Sequence, residues 1–185
     1  KMIPISFRWR QLGAVCLLAL ALLMATWLPA PLAAHAQGGE WTWLAGGRMK
    51  DVDFVDPDTG WMVGQLGHIA RTTDGGLTWE PQPSGTSENL EAVDFVDANH
   101  GWVAGDQVIL RTTDGGQSWI TVGEAAEWSA VQFLDANEGW VGGQPDHLLH
   151  TTDGGESWST IPLPSGTHCE ALYFVDSLHG WVGYG

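Results

Sequence analysis

TTDGGQSW at residues 112–119 is one of three copies of the same phrase, with TTDGGLTW at 72–79 and TTDGGESW at 151–158. Asp74, Asp114 and Asp153 stand 40 and 39 residues apart. A fixed period near 40 marks one supersecondary unit repeated along the chain. Two adjacent glycines let the backbone reverse tightly. The aspartate beside them can accept hydrogen bonds from turn N–H groups. The Thr or Ser before each Trp is expected to begin the next strand, and the Trp to bury its ring against a neighbouring sheet. The phrase reads as a hairpin turn with an anchor.

A second phrase keeps the same register. Phe54-Val55-Asp56, Phe95-Val96-Asp97, Phe133-Leu134-Asp135 and Phe174-Val175-Asp176 lead into Gly60-Trp61, Gly101-Trp102, Gly139-Trp140 and Gly180-Trp181. The first unit is expected to run strand 52–55, turn, strand 60–64, strand 68–72, turn, strand 78–81. The second unit repeats this at 91–96, 101–105, 108–112 and 118–122. Four short strands per repeat are the arrangement of a β-propeller blade. Blades are expected at about 49–83, 90–123 and 128–163, with an unfinished one at 168–185. The fold class is all-β, a propeller of which about three and a half blades are present. Propellers close a ring of four to eight blades, so a longer reading frame with further blades is expected. The segment at 38–46, GGEWTWLAG, aligns Thr42-Trp43 with the later Thr/Ser-Trp pairs, and 41–45 is a candidate strand closing the last blade.

Residues 1–36 read as a secretory signal peptide. Lys1, Arg8 and Arg10 precede an apolar run at 12–28, and Ala34-His35-Ala36 offers a cleavage site. Downstream, Arg48, Lys50, Arg71 and Arg111 face all 22 acids. That balance argues against nucleic acid or anionic lipid as a partner. Only Cys169 remains after cleavage, so no internal disulfide is expected. Residues 56–60, DPDTG, lack the glycine and glutamate of a calcium loop and read as a turn. His147 and His150 fall on opposite faces of a strand and make a poor metal pair. The reading needs no cofactor and no metal.

Scarce basic charge falls at one place in the repeat. Arg71, Arg111 and His150 each stand two residues before the paired Thr-Asp, and equivalent positions repeat around a propeller. They are the candidate partner-binding residues, a positive arc on an acidic protein able to seat an acidic surface.

The repeated turn resembles the Asp-box or BNR repeat, Ser/Thr-x-Asp-x-Gly-x-Ser/Thr-Trp. Thr72, Asp74, Gly76, Thr78 and Trp79 fill it first, then Thr112, Asp114, Gly116, Ser118 and Trp119, then Thr151, Asp153, Gly155, Ser157 and Trp158. The resemblance implies a turn between the third and fourth strands of each blade and leaves function open. The longer phrase, Phe-Val-Asp-x-x-x-Gly-Trp followed by Arg-Thr-Thr-Asp-Gly-Gly-x-Thr-Trp, resembles the photosystem II assembly/stability factor family. That resemblance covers about residues 52–185. It implies an exported, lumenal, non-enzymatic assembly scaffold with an arginine-rich patch, whose partner is a membrane-complex subunit. Periplasm, thylakoid lumen or the exterior would be its location, without stable membrane insertion after cleavage. One alternative is a secreted glycan- or peptide-binding Asp-box protein, for which surface tryptophans would be the cue. A sialidase-like hydrolase ranks behind it: after residue 36 the chain has only three arginines and, as tyrosines, Tyr173 and Tyr184.

Overall fold

The computed structural model describes residues 48–144 and 146–184. The signal peptide and the candidate closing strand at 41–45 lie outside them. The first sheet runs β1 (Met49–Phe54), β2 (Gly60–Gly64), β3 (His68–Thr72) and β4 (Glu80–Pro83). The second runs β5 (Leu90–Phe95), β6 (Gly101–Gly105), β7 (Val108–Thr112) and β8 (Ile120–Thr121). The third runs β9 (Glu127–Phe133), β10 (Gly139–Gln144), β11 (His147–Thr151) and β12 (Ser159–Pro162). β13 (Cys169–Asp176) and β14 (His179–Tyr184) form a two-stranded sheet. Every pairing is between sequence neighbours and antiparallel. These are propeller blades, three with four strands and one with two.

The second and third strands of the first two blades lie where the sequence places them, bounded by glycine and by the box threonine. The fourth strands start later than expected, at Glu80 and Ile120 rather than at Thr78 and Ser118. The backbone N–H of Thr78 and of Ser118 is held by the box aspartate, at 2.8 and 2.9 Å. A donor held inside the turn is not free for the ladder, so pairing resumes only after the tryptophan.

The Asp of each Phe-x-Asp phrase closes the turn between first and second strands. Asp56 Oδ1 accepts from the N–H of Asp58 and of Thr59, both at 2.8 Å. Asp97, Asp135 and Asp176 repeat this clamp. At Asp56 the two backbone donors hold the carboxyl below its usual range.

The apolar core lies between blades. One cluster joins Trp61, Val63 and Ile69 of the first blade to Leu90, Phe95 and Val103 of the second. A second joins Ala104 and Ile109 to Trp128, Val141 and Leu149. A third joins Ala130 and Leu148 to Cys169, with Leu172 and Phe174 packed against it. At each seam a second-strand tryptophan stacks on the first-strand phenylalanine of the next blade. The ring centroids are 3.6 Å apart for Trp61–Phe95, 3.5 Å for Trp102–Phe133 and 3.9 Å for Trp140–Phe174. The box tryptophan meets the phenylalanine of its own blade edge-on, as Trp119 does Phe95 at 5.9 Å and 89°. The other face of that phenylalanine lies on the glycine before the next tryptophan. A Cβ at Gly60 would stand 2.7 Å from the Phe54 ring, and Gly101, Gly139 and Gly180 are tighter still.

Gly139→Ala should therefore overpack the second seam, because Phe133 is pinned by Trp102 on one face and Trp158 at its edge. The expected cost is about 1–3 kcal/mol in thermal or urea unfolding. Gly183→Ala, whose added methyl would meet only Ala171 at 3.7 Å, should melt close to wild type.

Candidate functional site

The three box turns are near-copies in their hydrogen bonds. Thr112 is buried, and its hydroxyl donates to Asp114 Oδ1 at 2.8 Å while accepting the Gly116 N–H at 2.9 Å. Asp114 Oδ1 also accepts from Ser118 N–H at 2.9 Å, and its Oδ2 accepts from the Ser118 hydroxyl at 2.6 Å. Thr72, Asp74, Gly76 and Thr78 repeat the pattern. So do Thr151, Asp153, Gly155 and Ser157. Both glycines of each pair have positive φ, between 70° and 94°, which side chains other than glycine resist. The serine hydroxyl and then the serine N–H hold the Asp114 and Asp153 carboxyls down at about 2. Both oxygens of each box carboxylate are engaged inside the turn. These groups stay ionised and occupied, and a proton-transfer role does not suit them.

The box also joins blades. Gly115 carbonyl accepts from Trp61 Nε1–H of the preceding blade at 3.1 Å and from Gln82 Nε2–H at 3.0 Å. Gly154 carbonyl accepts from Trp102 Nε1–H at 3.0 Å. The N–H of each first box glycine donates to the other turn of its own blade, at Asp58, Asn99 and Asn137. The fully buried tryptophans are Trp61, Trp102 and Trp140 of the Gly-Trp phrase together with Trp128 of β9, while Trp79, Trp119 and Trp158 of the boxes are half-buried. The box tryptophan, expected to bury its ring against a neighbouring sheet, packs partly buried against the inter-blade core, as Trp119 and Trp158 show. Its ring closes over the seam from the edge, and its Nε1 has no hydrogen-bond partner in any of the three blades.

The basic row sits where its register requires. Arg71 lies opposite Trp61 and Glu80, Arg111 opposite Trp102 and Ile120, and His150 opposite Trp140 and Ser159. Each is laid on or beside its own tryptophan instead of being pooled in one patch. The Arg71 guanidinium is 5.0 Å from the Trp61 ring centroid. His150 stacks on Trp140 at 4.7 Å, and its Nε2 is 3.2 Å from Glu138 Oε1. Arg111 is 3.7 Å from Glu156, a side chain 75% exposed, so that pair is screened and weak. Among the described residues Arg71 has no ion pair, and Nε of both arginines is buried without a hydrogen-bond partner.

His147 turns away to Glu124 at 3.1 Å and does not join His150. Among the described residues no group of three or more His, Cys, Asp or Glu could hold a metal ion. Of the described tryptophans only Trp181, 63% exposed, lies open at the surface. The sequence reading missed one row of residues, those immediately before each phenylalanine. Asp53 and Asp94 accept the N–H of Phe95 and Phe133, and Gln132 accepts that of Phe174. Asp, Asp and Gln share no motif, and only their common place in the period could have marked them.

The fold and the joints define the class: an Asp-box β-propeller whose boxes fasten one blade to the next. The chain matches the family model described as photosynthesis system II assembly factor YCF48 over residues 43–123 and 82–167. It belongs to that family. It is 41% identical over 58 residues to the chloroplastic photosystem II stability/assembly factor HCF136 of Cyanidioschyzon merolae, a match covering 29% of this chain and 13% of that protein. A solved structure of YCF48 bound to D1 peptide is 27% identical, with a TM-score of 0.59, over 67% of this chain and 42% of that one. YCF48 from Cyanidioschyzon merolae is 30% identical, with a TM-score of 0.57, over 64% and 41%. The chain thus spans less than half the length of these relatives. An ancestral GH74 enzyme shares the fold at 20% identity, with a TM-score of 0.62, over 75% of this chain and 22% of that one.

Asp114→Ala strips three acceptor contacts from one box and should cost about 1–3 kcal/mol of stability. The box stabilisation is fully present above the ordinary carboxyl value of 3.8 and is lost as pH falls through about 2. Acid titration of the melting temperature should therefore show the wild-type and Asp114→Ala curves converging below about pH 3.

Proposed function

We propose that this chain is part of an exported, non-enzymatic scaffold that holds a protein segment during assembly of a membrane-protein complex, and that Arg71, Arg111 and His150 meet an acidic stretch of that segment. The carrying observation is Arg71: a guanidinium held over the Trp61 ring, 5.0 Å from its centroid, with no acidic partner among the described residues, on a chain rich in acids. Stacking on a ring pre-orients the fork, so little side-chain freedom is lost when a carboxylate binds. Arg111, with one weak partner, repeats the device in the next blade. Membership of the assembly-factor family supports the reading, and the structure of a relative with D1 peptide supports a peptide as the kind of ligand. The apolar leader at residues 1–36 supports export to the periplasm, thylakoid lumen or exterior. The box carboxylates, engaged inside their turns, support a scaffold over a hydrolase.

The test uses labelled D1 peptide and an unrelated acidic peptide at low and high salt, followed by fluorescence anisotropy. The paired variant Arg71→Gln/Arg111→Gln should bind about a hundredfold more weakly, as the loss of roughly 1.5 kcal/mol at each of the two charged contacts implies. Its salt dependence should also be shallower. The paired Lys variant should keep a substantial part of the affinity. Equal binding by wild type and the Gln pair would place the binding face elsewhere. Both pairs should lose some stability with the ring contact, about 0.5–1 kcal/mol each.

A further inference from the structure

The first strands β1, β5, β9 and β13 lie side by side, and side chains on β1, β5 and β9 fasten the first strand of the following blade. Asp53 Oδ2 accepts from Phe95 N–H at 2.8 Å, Asp94 Oδ2 from Phe133 N–H at 2.7 Å and Gln132 Oε1 from Phe174 N–H at 2.6 Å. Asp51 Oδ2 adds Val93 N–H at 2.9 Å. Gln132 does one thing the aspartates do not: its Nε2–H donates to the Phe174 carbonyl at 2.9 Å. A carboxylate has no proton to give there, whereas a carboxylic acid does.

The charges around Asp94 oppose its ionisation. On β1 it faces Asp53 and Asp51. The cation of that strand, Lys50, is held 2.7 Å from Glu91, the other charged residue of β5. On β9 the one charged residue is Glu127, at the far end of the strand from Phe133. β6 sets Trp102 opposite Asp94, and neither β2 nor β6 carries a charged residue. Withdrawal of its carboxyl from water, with a smaller rise from Asp53 and Asp51, outweighs the Phe133 N–H and pushes Asp94 up to about 7. Asp53 is raised as well, chiefly by burial.

We propose that the seam between the second and third blades is a proton-operated latch at Asp94. With the proton in place the side chain accepts from the Phe133 N–H and donates to the Phe133 carbonyl, the two-point grip that Gln132 makes one seam further on. Without it, one hydrogen bond remains and a withdrawn charge faces Asp53 and Asp51. A protonated seam is the tighter one, so the scaffold stiffens as its compartment acidifies. The direction follows from linkage. The folded state keeps a proton that the unfolded carboxyl releases near 3.8. Stability from this group is therefore full below that value, falls as pH rises toward about 7, and is lost above it.

Thermal melts of the full chain from about pH 5 to about pH 8 test the latch, because this range spans the raised Asp94 titration. Asp94→Gln copies the neighbouring seam. It should melt several degrees above wild type at the upper end and level with it or below at the lower end. All other titrating groups are common to both proteins, so the difference curve isolates Asp94. A flat difference curve would overturn the proposal. Two measurements on wild type stand if the variant fails to fold. The carbon-13 carboxyl resonance of Asp94 should titrate near neutrality, and a midpoint in the ordinary carboxylate range would overturn the latch. Hydrogen exchange at the Phe133 amide, relative to the Phe174 amide, should quicken at the upper end of the range. A constant ratio would show that the seam does not respond to the proton.

Discussion

Each blade is completed by the phenylalanine of the next. A four-stranded sheet of this length has no interior, and its apolar residues must be covered by a neighbour. Trp61, Trp102 and Trp140 meet that need in one way, with a parallel stack on the following phenylalanine at 3.5–3.9 Å. The stack is possible only because the far side of each phenylalanine rests on glycine. The Gly-Trp pair is therefore one device in two halves: the glycine seats its own blade's ring, and the tryptophan receives the ring of the next.

The Asp-box follows from the same constraint. The carboxylate ties the turn so that the carbonyl of the first glycine projects toward the preceding blade, where an indole N–H reaches it. Leaving the indole N–H of the fully buried Trp61 or Trp102 unpaired would be costly, and the box supplies the acceptor to these two. What the sequence presents as a turn with an anchor is in the structure an inter-blade fastener. Residues committed to fastening are poor places for a variable function. The third-strand positions at Arg71, Arg111 and His150 lie at the rim of each seam. There Arg71 and His150 lie over the tryptophan of their own blade.

Much of this was legible before any coordinates. The period placed the boxes and the Gly-Trp pairs. Strands β2, β3, β6 and β7 have the limits that their glycines and threonines announce. The start of each fourth strand was not legible, because whether Thr78 N–H joins a ladder or bonds Asp74 depends on the turn that forms. The depth ranking of the tryptophans was hidden for a related reason. All are tryptophans in strand-like contexts, and only the neighbouring blade decides which are covered. The row Asp53, Asp94 and Gln132 was hidden because its function is a hydrogen bond across a seam. A strand pattern says only that such residues face away from their own sheet's core. The basic row was visible as a register, but its stacking partners required the cross-strand pairing.

The most direct test of the seam as the organising unit is a double-mutant cycle on Trp102 and Phe133, read by urea unfolding. The two residues touch across a blade boundary and lie in different repeats. If the stack holds the blades together, Trp102→Leu and Phe133→Leu should be coupled by about 1 kcal/mol or more, the double variant losing less than the sum of the singles. Simple additivity would contradict the account. It would mean that each ring is buried independently and that the blades are held by something other than this contact.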